Sequence, residues 1–122
     1  LDKTPQSTIM VGRPPDRRDE PVYDLARIQE LAKIGLVKFA SSRVESDSQN
    51  LGYGPEAVAD CIASLQAEEF DESLRYANDS FWQDVYKVRR TSPRGEEDDL
   101  YIKLKLNRNF VTVLLHSFHQ HR

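Results

Sequence analysis

Two stretches of the sequence place basic, amide and phenol side chains on one side of a predicted β-strand. In FWQDVYKVRR, the period of two along a strand puts Gln83, Lys87 and Arg89 on the same side. In LYIKLKL, it puts Tyr101 and Lys103 opposite an apolar side. If both polar sides belong to one face of a sheet, that face suits phosphate oxygens, because Lys and Arg pair with them and Tyr donates a hydrogen bond or stacks on a base. Alternatively, the lysines only keep an exposed sheet face soluble.

Three histidines follow in LHSFHQHR, at the end of the last predicted strand. Because histidine exchanges a proton near neutral pH, His116 or His119 beside a phosphate-binding face is a candidate general acid or base. His119 and His121 share one face at a spacing of two, but the sequence offers no further histidine that would complete a metal site. We therefore predict neither a metal site nor a small-molecule cofactor.

Two amphipathic helices and a later group of strands must position these residues. YDLARIQELAKIG predicts a helix from about Leu25 to Ile34, with Asp24 as N-cap and Gly35 at its C-terminus. GYGPEAVADCIASL predicts a second helix that begins at Pro55. FDESLRY, FWQDVYKV, LYIKLKL and FVTVLLHSF are typical of strands, the last two joined as a hairpin about NRN. This order predicts an α+β fold, with two N-terminal helices packed on a twisted antiparallel β-sheet.

The other side of FWQDVYKVRR carries Trp82, Asp84 and Tyr86. We expect Trp82 and Tyr86 to pack in the core, because they lie opposite the basic side. Asp84 on that apolar side is expected to cap a loop or pair with an arginine, without a catalytic role.

Residues 1–21 contain four prolines among charged and small residues, and they show neither a helical nor a strand period. We therefore predict an extended proline-rich arm over 1–21 and one folded domain over 22–122. Arg13, Arg17 and Arg18 could contact a polyanion, although a solvated tail is the simpler interpretation. Between the two helices, LVKF predicts a short strand, and a polar, serine-rich connection follows it.

The composition limits where the protein acts and what it binds. A chain of 122 residues has the size of one ordinary domain. Its single cysteine, Cys61, cannot form an internal disulfide and fits a reducing compartment, so we expect a cytoplasmic protein. No apolar run approaches the roughly 20 residues that cross a bilayer, and LDKTPQSTIMVG lacks the apolar centre of a secretory signal. The net charge of −3 argues against a general nucleic-acid binder, although the C-terminal half is basic outside the acidic run EEDD.

The stretch SFWQDVYKVR, followed by LYIKLKL and a terminal SFH, resembles the MqsR family of bacterial toxins. In that family a W-Q-D-V-Y strand precedes a Y-x-K strand and a final Ser-Phe with a basic residue. Looser similarity extends from about Val22 to His119 and includes LAKIGLV and IASLQAEEF. The resemblance implies a fold related to the RelE toxins and the activity of an mRNA interferase, a sequence-dependent endoribonuclease. It also implies a cognate antitoxin protein that neutralises the toxin.

The same resemblance assigns roles to individual residues. The family's glutamine corresponds to Gln83, its active-site tyrosine to Tyr101, and its terminal basic residue to His119 through the shared Ser-Phe. Counting from Tyr101 without a gap selects His116 instead, and a two-residue turn in the NRN hairpin would pair Tyr101 with His116 directly. The family's lysine before the tryptophan falls at Glu72, which reverses a charge expected to face the scissile phosphate.

Cleavage of RNA without a metal needs a base for the 2′-hydroxyl, cations for the phosphorane-like transition state and an acid for the leaving 5′-oxygen. We predict that His119 or His116 acts as general acid or base, with Glu72 as the opposing base. The residues expected to contact the RNA are Gln83, Lys87, Arg89, Tyr101 and Lys103. One alternative is a catalytically impaired RNA-binding or regulatory module that retains the fold and the antitoxin partner. Another is a structural interaction domain without RNA affinity.

Overall fold

The computed structural model describes residues 13–121, which contain three helices and six strands. In chain order they are β1 (Asp16–Arg18), α1 (Leu25–Lys33), β2 (Val37–Phe39), α2 (Ser42–Asn50), α3 (Pro55–Ala63), a 3-10 turn (Ala67–Glu69), β3 (Phe70–Arg75), β4 (Gln83–Thr91), β5 (Glu97–Leu106) and β6 (Val113–Gln120). The six strands form one sheet in the order β1-β3-β4-β5-β6-β2. The predicted α+β class is confirmed. The short strand predicted at LVKF is confirmed as β2. The predicted arrangement is wrong in two respects, because β1 precedes the helices and because β2 pairs with β6 in parallel, which makes the sheet mixed.

Both predicted helices are present, and local chemistry explains their ends. The Asp24 side chain accepts a hydrogen bond from the backbone N–H of Ala26 at 3.1 Å, which caps the start of α1. Gly35, just beyond α1, has φ of +78°, a left-handed conformation that favours glycine. Pro55 occupies the first turn of α3, where its missing N–H costs nothing. Cys61 is buried on α3, and burial raises the pKa of its thiol to about 12, so it serves packing.

Helix α2 was not predicted, because the serine-rich stretch was expected to be a polar connection. The helix buries only Val44 and Ser48, which is too little apolar surface to produce a helical pattern in the sequence. Its N-cap is Ser41, whose side chain accepts from the backbone N–H of Val44 at 3.3 Å. The Ser48 hydroxyl is satisfied by the carbonyl of Glu45 at 2.9 Å.

Strand β1 lies within the predicted arm. It pairs antiparallel with β3, with Arg17 opposite Leu74. Asp16 and Arg75 form an ion pair across the two strands, with an N–O distance of 2.8 Å. Residues 16–18 are therefore part of the sheet, whereas residues 1–12 of the predicted arm lie outside the described residues.

The hydrophobic core lies between the helices and one face of the sheet. Helix α1 contributes Ile28 and Leu31, and α3 contributes Val58 and Ile62. From the sheet, the core receives Tyr86, Val88, Leu100, Ile102, Leu104, Leu106, Val113, Leu115 and Phe118. Since side chains alternate along a strand, the residues between these core positions belong to the opposite face. Among residues 13–121, no helix has the length and apolar character to span a membrane.

The residues on the other side of the FWQDVYKVRR motif contact distant parts of the chain. Asp84 is fully buried and accepts hydrogen bonds from the backbone N–H groups of Val22 and Tyr23, at 3.1 and 2.9 Å. It therefore caps the segment before α1, as predicted. Tyr86 is in the core, but the prediction for Trp82 is wrong. Trp82 is only half-buried, and the guanidinium groups of Arg18 and Arg75 lie 5.6 and 4.9 Å from its ring centroid.

The β5–β6 hairpin has a longer loop than the predicted two-residue turn. Residues 107–112 form this loop, so Leu106 pairs with Val113. The Asn107 side chain closes it by accepting from two backbone N–H groups, at 2.9 and 3.2 Å. A β-bulge at His116 shifts the register by one more residue. Together, the loop and the bulge place Tyr101 opposite His119 instead of His116.

Candidate active site

One face of the sheet gathers polar side chains from five strands; we call it the polar face. Because residues that pair across antiparallel strands share a face, the register defines three rows across the sheet. The rows are Arg17–Leu74–Gln83, Glu72–Val85–Lys103–Ser117 and Lys87–Tyr101–His119. The polar sides of FWQDVYKVRR and LYIKLKL therefore share one face. Val85 lies at its centre, fully buried beneath the longer side chains around it.

Tyr101 and His119 form a stacked pair. Their ring centroids are 5.0 Å apart, and the ring planes differ by 10°. The His119 Nδ1 lies 2.9 Å from the backbone carbonyl oxygen of Gln120. Since a carbonyl oxygen only accepts, Nδ1 carries the proton of the neutral ring, and Nε2 keeps a free lone pair.

The Tyr101 hydroxyl keeps its proton at neutral pH. Burial raises the pKa of Tyr101 to about 12, and electrostatic repulsion from Tyr76, Glu72 and Asp71 acts in the same direction. A protonated phenol is a hydrogen-bond donor and not a base. Tyr101 can therefore donate to a phosphate oxygen above the sheet.

Gln83 provides an acceptor that has no donor. Its side chain is almost fully buried on the polar face, and within residues 13–121 its Oε1 makes no hydrogen bond. An unsatisfied buried polar atom costs about 1–3 kcal/mol, so a ligand that donates to this oxygen would recover that energy. A hydroxyl or a base N–H of a bound nucleotide would be such a donor.

Glu72 lies on β3 and is paired with Arg17 of β1. Arg17 Nη1 donates to Glu72 Oε1 at 2.5 Å, and this hydrogen bond raises the pKa of Arg17. The Arg17 side chain is 57% exposed and the Glu72 side chain 24% exposed. The carboxylate at this position is therefore accompanied by a cation that faces solvent.

Lys103 is held in place by an aromatic residue. Its Nζ donates to the Tyr76 hydroxyl at 2.7 Å and lies 4.7 Å from the centre of that ring. Among residues 13–121 it pairs with no carboxylate, so its charge is available to a ligand on the polar face. Lys87, in contrast, lies 3.5 Å from Asp71, whose charge offsets its own.

Arg89 lies away from the Tyr101–His119 pair, at the end of β4. It is engaged by two carboxylates, Glu97 at 2.9 Å and Asp99 at 3.0 Å. Of the residues predicted from the sequence, the structure therefore brings Glu72, Gln83, Lys87, Tyr101, Lys103 and His119 to the centre of the polar face. It does not bring Arg89 to that centre.

His116 differs from His119 in its surroundings. The bulge turns it toward Phe81, whose ring centroid is 5.9 Å away, and its Nε2 is buried with no partner among residues 13–121. Burial and the positive charges of Lys103 and Lys105 lower the pKa of His116, so the ring is neutral at pH 7. With His119, it lines a cleft of about 250 Å³ beside α2, and the other residues of this cleft are Ser41, Arg43, Val44, Asp47 and Ser117.

Three residues of this region were not assigned to the site from the sequence. Tyr76 follows β3 in a loop, and Arg43 belongs to the helix that the sequence did not reveal. Arg17 was noted only as part of a basic arm. A strand signal for β1 was absent because it is three residues long and entirely charged. Within residues 13–121, no three His, Cys, Asp or Glu side chains lie together as metal ligands would.

Comparison with known proteins identifies the family of this chain. A search of curated proteins found no match. A family model described as "Motility quorum-sensing regulator, toxin of MqsA" matches residues 20–120, which covers most of the chain and the strands β3 to β6. The family description names a toxin together with the antitoxin MqsA as its partner. The chain therefore belongs to the MqsR toxin family and is the toxin of a toxin–antitoxin pair.

Proposed function

We propose that this toxin is a sequence-dependent, metal-independent endoribonuclease that cleaves mRNA in the cytoplasm and is neutralised by its antitoxin. One observation carries the proposal: Tyr101 and His119 face each other across β5 and β6 and stack on an exposed sheet surface. A proton donor to phosphate thus lies beside a histidine with a free Nε2. This pair suits the chemistry of a phosphodiester whose neighbour is a 2′-hydroxyl.

The reaction begins with removal of the 2′-hydroxyl proton, for which Glu72 is the base. The 2′-oxygen attacks the adjacent phosphorus and forms a new P–O bond. Glu72 and His119 belong to β3 and β6, which lie on either side of β4 and β5. With strands about 4.8 Å apart, the two backbones are separated by about 14 Å. Tyr101 on β5 is influenced by the charge of Glu72 and stacks on His119, so we propose that the scissile phosphate binds over β4 and β5, between the base and the acid.

The reaction ends when the bond between phosphorus and the 5′-oxygen breaks. Protonated His119 donates from Nε2 to this leaving oxygen, while its Nδ1 proton remains bonded to the Gln120 carbonyl. The products are a 2′,3′-cyclic phosphate and a 5′-hydroxyl, and the proton that Glu72 received returns to solvent. We assign the acid to His119 over His116, because His116 Nε2 is buried and that ring is neutral at pH 7.

The remaining residues of the polar face bind and orient the phosphate. Lys103 supplies a positive charge that no carboxylate of the described chain offsets, and Tyr101 donates its phenol proton to a non-bridging oxygen. Lys87 lies beside Tyr101 and contacts the RNA, although the charge of Asp71 offsets its own. Gln83 orients the RNA through a hydrogen bond with the ribose or the base, which requires its buried amide to turn toward the ligand.

The test is to incubate the purified toxin, freed of antitoxin, with a long RNA in EDTA. We expect cuts at a recurring short sequence, with 2′,3′-cyclic phosphate or 3′-phosphate and 5′-hydroxyl ends. A matched oligonucleotide with a single 2′-deoxyribose at the cut position is the control, and it should remain intact. RNA that is bound but not cut would instead identify a non-catalytic RNA-binding module. Cleavage of the deoxy-substituted control would refute the 2′-hydroxyl mechanism.

A further inference from the structure

We propose that Arg17 is a catalytic residue whose positive charge becomes available to the phosphate when Glu72 accepts the 2′-hydroxyl proton. This inference rests on the proposed nuclease function. Arg17 lies on β1, before the first residue of the family match at 20–120, so it belongs to a segment that the family model does not include.

The register fixes the position of Arg17 on the polar face. Arg17 pairs with Leu74, and Leu74 pairs with Gln83, so these three side chains form one row. The neighbouring row begins with Glu72, which receives the hydrogen bond from Arg17 Nη1. Only this one nitrogen is engaged with Glu72, and more than half of the Arg17 side chain is exposed. The remaining N–H groups of the guanidinium can therefore meet a phosphate oxygen.

The other cations of the polar face support this assignment. Arg89 is bonded to two carboxylates, and Lys87 is next to Asp71. Lys103 donates to Tyr76 and Lys105 lies over the Phe81 ring, and both are free of carboxylates in the described chain. A dianionic phosphorane needs more than one positive charge, and Arg17 is the cation in contact with the proposed base.

The carboxylate partner gives Arg17 a property that the other cations lack. Before the reaction, the negative charge of Glu72 balances the guanidinium. When the 2′-hydroxyl proton moves to Glu72, the carboxylate becomes neutral and Arg17 is no longer balanced. At the same moment, the attacking oxygen adds negative charge to the phosphate. The guanidinium keeps its proton throughout, so its stabilisation is greater in the transition state than in the ground state.

The experiment compares wild-type toxin with Arg17→Gln and Glu72→Gln on one RNA oligonucleotide that contains a single cut site. Arg17→Gln should lower kcat about 100-fold with little change in KM, as expected for a group that acts on the transition state. Glu72→Gln should also lower kcat, but it should bind RNA more tightly than wild type because Arg17 is then unbalanced in the ground state. If the pair had only a structural role, Glu72→Gln would not bind RNA more tightly while it loses activity.

Arg18→Gln is the matched control. Arg18 lies on the same strand and carries the same charge, but its guanidinium packs on Trp82, on the other side of the sheet. We expect it to cleave like wild type, and thermal unfolding should show that all three variants are folded. The proposal is overturned if Arg17→Gln keeps the wild-type kcat, if it changes KM alone, or if Arg18→Gln loses as much activity. A wild-type protein that cuts no RNA would overturn the proposed function itself, and this inference with it.

Discussion

Replacing His119 with alanine should abolish most RNA cleavage while leaving the fold intact. The side chain is exposed, and its only hydrogen bond within residues 13–121 is from Nδ1 to the neighbouring carbonyl, so little packing is lost. The lost general acid should lower kcat by about 10²–10⁴-fold. In free energy this is about 3–5 kcal/mol of transition-state stabilisation. Loss of the ring that stacks on Tyr101 should lower the free energy of unfolding by about 1 kcal/mol.

The assay is single-turnover cleavage of a labelled RNA by the His119→Ala, His116→Ala and His121→Ala proteins. His121 follows the last residue of β6, and its described contact is through its backbone N–H, so His121→Ala should match wild type. His116→Ala should lose less activity than His119→Ala. A larger loss for His116→Ala would refute the assignment of the acid, because it would mean that the buried histidine is the one that reacts.

Three further predictions concern the chemistry and the stability of the sheet. Tyr101→Phe should lower kcat about 100-fold, because it removes one donor to the phosphate while keeping the ring that stacks on the histidine; kcat equal to wild type would remove Tyr101 from the mechanism. Asp84→Ala should lower the free energy of unfolding by about 3 kcal/mol, as measured in urea, because two partly buried backbone N–H groups lose their acceptor. A loss below about 1 kcal/mol would show that water replaces the carboxylate. Arg90 donates to both carboxylate oxygens of Glu69, and this pairing lowers the pKa of Glu69. The pair therefore stabilises the fold fully above the ordinary glutamate pKa of 4.5. Its contribution is lost as the pH falls through the lowered pKa. Glu69→Gln should therefore be less stable than wild type at pH 7 and approach it in acid, and an unchanged difference at low pH would contradict this assignment.

The polar face could be predicted from the sequence because side-chain alternation along a strand is a local property. FWQDVYKVRR and LYIKLKL each show which side is polar, and neither prediction depends on distant parts of the chain. The two helices were predictable for the same reason, since Asp24 and Pro55 mark their starts by local hydrogen bonding and backbone geometry.

The register of β6 was not predictable, because two separate features determine it. A hairpin of NRN permits a short turn, but the Asn107 side chain closes a longer loop, and the bulge at His116 adds another residue. Each feature shifts the register between β5 and β6 by only one or two residues, and the hydrophobic pattern of the sequence does not show such a shift. The position of His119 opposite Tyr101 therefore depended on the resemblance, through the Ser-Phe that precedes it, until the pairing was known.

Strand β1 was not predictable because its pairing is entirely non-local. Its three residues are charged, as is common for the short edge strands of a sheet. Only the contact with β3, far along the chain, makes it a strand. The cation that Arg17 places next to Glu72 was therefore missed, and the sequence showed only an acid where the resemblance implies a lysine.

The order of the strands has a consequence for how this toxin is made. The side chains of the polar face come from β1 near the start of the described chain and from β6 at its end, with β3, β4 and β5 between them. A ribosome must therefore release nearly the whole domain before Arg17, Tyr101 and His119 can meet. An unfinished chain, or a fragment cut by a protease, lacks one side of the proposed reaction centre. A cell would thus be exposed to the proposed nuclease activity only after the ribosome has released β6, when the antitoxin can bind the folded domain.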